Sequence, residues 1–219
     1  MINSGNHLYI LDTTQLNNNE LFSLWYDKMP EYRKKKIDAF RFMKDKKLSL
    51  GAGVLLYKCF EQVGISEPEI VYNKYDKPAL AGNVSVHFNL SHSGHIAVCA
   101  VSDQPVGADV EVKQHFEEHL VEQIYSQDEI QYVTSHFSDP DDGYTLIWTV
   151  KESIMKYLGT GLSLVPEKIK VDLERPIKAV CSEHHIDGLH FSNYRLDGYS
   201  VTVCSEYENF ANSPEWIQL

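Results

Sequence analysis

The chain has 219 residues, 43% of them apolar and 23% charged, with a formal net charge of −11. That is enough for one large or two small domains whose core needs neither disulfides nor metals. It excludes a disordered tail, a collagen-like chain and a small disulfide scaffold. The longest apolar runs, such as Ile96 to Val101, fall far short of the roughly 18 residues of a membrane helix. Met1 to Asp12 carries no cationic flank and no long apolar stretch, so no secretory signal is expected. The four cysteines, Cys59, Cys99, Cys181 and Cys204, form no CxxC pair and read as reduced thiols of a cytoplasmic protein.

In chain order, the pattern predicts a short strand over residues 8–11 and helices over 15–28 and 44–60. Residues 28–58 hold ten of the twenty basic residues and three acids. That segment carries +7 and leaves −18 for the rest. Such a run reads as a local anion site or as a solvated helix face. Tyr75-Asp76-Lys77-Pro78 is turn-rich. Val84, Val86, Phe88 and Leu90 then alternate with polar residues, Ser93-Gly94 turns, and residues 96–102 return as a second strand of a hairpin. Alternation resumes over 106–112. Helices are predicted over 116–134 and 143–158, and short strands over 169–173, 177–181, 189–196 and 200–206.

The order strand, helices, strands therefore occurs twice, and Ile96-Ala97-Val98-Cys99 is echoed by Val201-Thr202-Val203-Cys204. Together these predict an α+β fold of two similar halves, residues 1–104 and 105–219, packed as a pseudo-twofold with the site in the cleft between them.

Three constellations carry candidate chemistry. In Gly107-Ala108-Asp109-Val110-Glu111, strand alternation sends Ala108 and Val110 inward and sets Asp109 and Glu111 on one face. Two carboxylates so placed suit a hard cation such as Mg²⁺, or are simply an outer polar face. In the segment from Trp148 to Gly159, Ile147, Val150, Ile154 and Tyr157 or Leu158 form an apolar helical stripe. Glu152 and Lys156 share another, one turn after Trp148, as a third metal carboxylate beside an ammonium or as a surface pair. Lys151 lies about 100° round from Glu152 and is expected nearer solvent or a distal phosphate. In Asn89-Leu90-Ser91-His92-Ser93-Gly94, Ser91 and His92 stand at a sheet end, where a hydroxyl, an imidazole and backbone N–H groups suit a phosphate or ordinary turn chemistry. His115-Phe116-Glu117-Glu118-His119 fits H-x-x-E-H, but its acidic, exposed setting argues against zinc. The sequons at Asn83 and Asn89 have no role in a cytoplasmic protein.

In their order and spacing, His87 to Gly94, Gly107 to Glu111 and Trp148 to Lys156 resemble the Sfp-type 4′-phosphopantetheinyl transferases. Tyr75 to Pro78, Asp45 to Leu56 and Tyr125 to Glu129 add to the likeness, which covers roughly residues 30 to 173. The resemblance implies two α+β halves with the site between them, and a chain that works as a monomer. It implies transfer of the 4′-phosphopantetheine arm of coenzyme A to a serine of an apo acyl, peptidyl or aryl carrier protein, with release of 3′,5′-ADP. By the same likeness, Asp109, Glu111 and Glu152 hold Mg²⁺. Glu152 is the general base and Lys156 stabilises phosphate charge. Ser91 and His92 hold phosphate oxygens. Lys35, Ser49 and Lys77 hold the 3′-phosphate and nucleotide. Leu48 replaces the family's usual arginine, and the run Arg33 to Lys36 also allows Lys34 or Lys36 for Lys35. The carrier contact is expected over Lys113 to Tyr125, where Phe116, Leu120 and Ile124 recur every four residues as a docking stripe or as core. Two other classes remain: a coenzyme A or nucleotide-binding module without catalysis, and a metal-dependent phosphohydrolase.

Overall fold

A computed structural model describes residues 5–82 and 85–219. Val84 of the expected strand and the sequon Asn83 lie outside these. The first half runs β1 (His7–Asp12), α1 (Asn19–Lys28), α2 (Glu31–Asp38), α3 (Met43–Gln62), β2 (Ile70–Tyr72), β3 (Pro78–Leu80), β4 (His87–Ser93) and β5 (Ile96–Ser102). The second runs β6 (Val106–Val112), α4 (Glu118–Ile124), α5 (Gln127–His136), α6 (Pro140–Leu158), β7 (Ile169–Asp172), β8 (Lys178–Cys181), β9 (His190–Leu196), β10 (Tyr199–Ser205) and β11 (Glu215–Trp216).

The two halves repeat one topology. β1, β5 and β4 pair antiparallel in that order, and β6, β10 and β9 do the same. In each, the first strand leads into helices, and the chain returns as a hairpin whose second strand inserts in the middle. The echoed segments at Ile96 and Val201 both fall on that middle strand. β5 is buried along its whole length. Its period of two sends Ala97, Cys99 and Val101 toward α3, and Ile96, Val98 and Ala100 toward the second half. There they meet Leu8, Ile10, Val106, Ala108, Val110, Val201 and Val203. The sheets thus lie back to back, with α3 and α6 covering their outer faces.

Several boundaries differ from those expected. The first helix is split: Thr13–Asn17 is a 3₁₀ turn, and the Asn18 side chain accepts from the N–H groups of Glu20 and Leu21 to start α1. The helix expected over 116–134 breaks at Ser126, which starts α5 in a capping box with Glu129. α2 and the β2–β3 hairpin are additional elements. The tail, expected in the second half, returns to the first: β11 pairs with β1, and Ile217 enters the first core.

Within Lys113 to Tyr125, Phe116 precedes α4 and is buried, Ile124 is half-buried against the core, and Leu120 is exposed. The apolar stripe is therefore divided between core and surface. His115 stands outside the helix beside Asp141, and His119 pairs with Glu117, so the H-x-x-E-H histidines share no ligand face.

Candidate active site

The site forms along the seam where β4 of the first half meets β6 of the second. Alternation on β6 points Gly107, Asp109 and Glu111 at α6. Gly107 permits this packing: a Cβ there would lie 2.1 Å from the Ser153 carbonyl oxygen. The acidic face expected on the outside is therefore roofed by a helix, and Asp109 is only 1% exposed. Across the seam, Asn89 Oδ1 accepts from the Ala108 N–H (3.0 Å) and Ser93 Oγ from the Val112 N–H (3.2 Å).

Ser91 donates to Asp109 Oδ1 (2.7 Å) and Ser93 to Glu111 Oε2 (2.7 Å). Lys156 reaches down from α6 to Ser91 Oγ (2.7 Å) and Asp109 Oδ1 (2.5 Å). The other oxygen, Asp109 Oδ2, is buried with no hydrogen-bond partner. Glu152 stands one turn before Lys156 and lines the same cleft. Loss of water, with Asp109 and Glu111 nearby and only Lys156 opposing, pushes its carboxyl up to about 7. Burial and Asp109 likewise raise Glu111, against bonds from Ser93 and Trp148.

The opposite wall is cationic. Arg33 and Lys36 on α2 sit three residues apart, on one helix face, and both line the cleft with Ser49 and His92. Arg33 donates to the Ser49 carbonyl (2.6 Å), yet its Nε is buried without a partner, and among the described residues no carboxylate pairs with it. Burial pulls its guanidinium down. Ser49 Oγ is also buried without a partner. Loss of water in the cleft, with Lys156, Lys36 and Arg33 nearby, holds His92 below its ordinary value. The cleft encloses about 330 Å³. Ile70, Tyr72, Asp76 and Pro78 of the β2–β3 hairpin form its remaining side.

The structure thus brings together Asp109, Glu111, Glu152, Lys156, Ser91, His92 and Ser49. Two expected ligands stand apart. Lys35 does not line the cleft, because the helical phase of α2 gives the cleft face to Arg33 and Lys36. Lys77 donates instead to the Tyr157 carbonyl at the C-terminus of α6 (2.8 Å), where unpaired carbonyls attract a cation. Lys151 is not near solvent. It is fully buried, bonded to Glu129 Oε2 (3.0 Å) and the Ile124 carbonyl (2.8 Å), with Tyr125 beneath it. Sequence reading passed over the hairpin wall. The Ile-Val-Tyr run at 70–72, just before the turn at Tyr75, was its local signal.

Glu152 gives a stability signature in metal-free protein. Its ordinary pKa of 4.5 rises to about 7 on folding. Between these values the folded state binds more protons than the unfolded state, so this contribution is present at low pH and is lost as pH rises through about 7. Glu152→Gln should remove it. Tm at pH 8 should then exceed the wild type's, and the gap should close below pH 5, as read by thermal melts across pH. A constant gap at every pH would contradict the assigned shift.

Among the described residues, no three His, Cys, Asp or Glu side chains are gathered closely enough to hold a metal as they stand. The donor set still fits a hard cation. It offers only oxygen ligands, one of them a bare buried carboxylate oxygen, in a cluster of acids that raise one another. Residues 105–204 match the family model of the 4′-phosphopantetheinyl transferase superfamily, and residues 17–104 match that of the 4′-phosphopantetheinyl transferase N-terminal region. The chain is 30% identical over 156 residues to the 4′-phosphopantetheinyl transferase ffp of Bacillus subtilis, which covers 68% of this chain and 69% of that one. It is 32% identical over 174 residues to psf-1 of Bacillus pumilus, covering 77% and 75%, and 28% identical over 153 residues to Sfp of Bacillus subtilis strain 168, covering 68% of each. With both halves matched and the carboxylates, lysine and histidine converging on one cleft, the chain belongs to the 4′-phosphopantetheinyl transferase superfamily and is an enzyme of its Sfp type.

Proposed function

We propose that this enzyme binds coenzyme A across the cleft and passes its phosphopantetheine arm to a serine of an apo carrier protein. The observation that carries the reading is the division of one cleft into two corners. One holds a half-buried guanidinium with no carboxylate partner among the described residues, and the other holds carboxylates around a lysine. Coenzyme A has charge to match both, a 3′-phosphate on its ribose and a pyrophosphate further along. Arg33, Lys36, Ser49 and His92 would take the 3′-phosphate; their charge-assisted hydrogen bonds fill the unpaired donors of Arg33 and Ser49. The hairpin wall of Ile70, Tyr72 and Asp76 lies next to that corner, where the attached nucleoside must fall.

In the reaction, the serine oxygen attacks the phosphorus bearing the pantetheine. The bond from that phosphorus to the oxygen bridging to the adenylate breaks, and 3′,5′-ADP leaves. Glu152 receives the hydroxyl proton. Lys156 stabilises charge on the phosphoryl oxygens, and Ser91 orients it. Asp109, Glu111 and Glu152 would hold Mg²⁺. When bound, it supplies positive charge against the pyrophosphate. Both halves lie in one chain, so the enzyme works as a monomer. Its four free thiols suit the reducing cytoplasm.

Mass spectrometry of coenzyme A incubated with an apo carrier tests the reaction. A carrier gain of one phosphopantetheine supports transfer. Free phosphopantetheine would indicate a phosphohydrolase, and no change a binding module. Excess EDTA should abolish the gain, and Mg²⁺ should raise the wild-type Tm but not that of Asp109→Asn. Full activity in EDTA would remove the metal. Arg33→Met should raise the KM for coenzyme A at least about tenfold and leave that for 3′-dephospho-coenzyme A unchanged, as expected for one lost charge-assisted contact. Equal effects on both nucleotides would move the 3′-phosphate elsewhere.

A further inference from the structure

The β2–β3 hairpin is rooted in the first half, yet its tip is fastened to the second. Asn73 Nδ2 donates to the Gly159 carbonyl (2.9 Å), and Lys77 Nζ donates to the Tyr157 carbonyl (2.8 Å). Both acceptors lie at the C-terminal end of α6, where helix carbonyls have no partner within the helix and the dipole is negative. The same Asn73 side chain sets the tip itself. Its Oδ1 accepts from the N–H groups of Tyr75 (2.8 Å) and Lys77 (2.9 Å). Within this turn Asp76 is driven to φ +61°, an uncommon conformation for a residue with a side chain, and Asp76 lines the cleft. Gly159 ends α6 at φ +67°, and a Cβ there would come within 2.9 Å of both Asn73 and Lys77. The close approach of hairpin and helix is thus built from both sides.

α6 also carries Glu152 and Lys156. Anchoring the hairpin to this helix ties the wall of the cleft to the residues that face the reacting phosphate. Tyr72 pairs with Pro78 and Ile70 with Leu80 across the hairpin, so fixing the tip fixes the inner face formed by Ile70, Tyr72 and Pro78. Two three-residue strands do not hold that face by themselves.

We propose that Asn73 and Lys77 are positioning residues. They pin the hairpin to the C-terminal end of α6 and thereby hold the wall against which the nucleoside of coenzyme A rests. This builds on the reading of the cleft as the coenzyme A site. Neither side chain touches the 3′-phosphate, so their removal should act on nucleotides with and without it.

The test is calorimetric binding of coenzyme A and 3′-dephospho-coenzyme A to wild type, Asn73→Ala, Lys77→Met and Lys77→Arg, with the carrier KM and Tm measured alongside. Lys77→Met should weaken both nucleotides by the same factor, about fivefold for one net hydrogen bond, and Asn73→Ala, which removes three, should weaken both at least as much. Lys77→Arg, which keeps a donor for the Tyr157 carbonyl, should bind as wild type does. Carrier KM and Tm should stay put. Lys77→Met weakening coenzyme A alone would make Lys77 a phosphate ligand and overturn the proposal. Unchanged binding in both variants, or a matched rise in carrier KM with a falling Tm, would overturn it as well. Failure of the wild type to bind either nucleotide would instead strike the functional reading itself, and the inference with it.

Discussion

Asp109→Asn should lose about a thousandfold in kcat/KM, in the range seen when one fixed electrostatic group is taken from a transition state. The amide keeps the shape of the carboxylate and an oxygen to accept from Ser91 and Lys156, but it removes the charge and the bare oxygen at Oδ2. Tm should move by less than about 4 °C, the shift of roughly 1 kcal/mol in a chain of this size. Alanine is the poorer probe. Asp109 is buried, so truncation leaves Ser91 and Lys156 facing a void as well as lacking a partner. Retention of a tenth or more of the activity by a folded Asp109→Asn protein would take Asp109 out of the site.

The two lysines of α6 should fail in opposite ways. Lys151→Met leaves Glu129 buried and unpaired, with its oxygens still accepting from the Ser126 and Val171 N–H groups. Breaking a buried pair on one side costs about 3–5 kcal/mol. At about 2–4 °C per kcal/mol, Tm should fall by around 10 °C. The protein that remains folded should turn over near the wild-type rate. Adding Glu129→Gln should recover part of the loss, because no charge then stays buried. Lys156→Met should lower activity by about three orders of magnitude and Tm by less than Lys151→Met does, because Lys156 is itself partly exposed and Ser91 still donates to Asp109. Equal kinetic losses in the two folded variants would contradict the assignment of the helix faces.

What the sequence made legible followed from periodicity. Alternation along 84–91 and 106–112, with 96–102 returning as the second strand of a hairpin, marked the seam strands, and the repeated order of strands and helices marked the two halves. The four-residue spacing of Glu152 and Lys156 placed them together. The misread features depend on partners distant in sequence. Asp109 lies on a face that alternation identifies, but only the packing of α6 against Gly107 buries it. Lys151 is buried because Glu129 and Tyr125, on and just before another helix, come to meet it. α2 buries only Ile37. With so little apolar periodicity, neither its existence nor its phase was visible, so the basic run yielded Lys35 where the helix presents Arg33 and Lys36. The β2–β3 strands are three residues each, and their tip is held by contacts with α6 some eighty residues further on. No local pattern encodes such a contact.

One cleft between the halves is proposed to hold coenzyme A, with its 3′-phosphate at the Arg33 guanidinium and its pyrophosphate at the carboxylate seam. A crystal structure of the enzyme with coenzyme A and Mg²⁺ tests it directly. The 3′-phosphate should lie within hydrogen-bond distance of Arg33 and Ser49, the nucleoside against Tyr72, and the pyrophosphate beside Lys156 and Asp109. Coenzyme A seated instead in the groove between α5 and the β7–β8 hairpin, or bound with its 3′-phosphate away from Arg33, would contradict it.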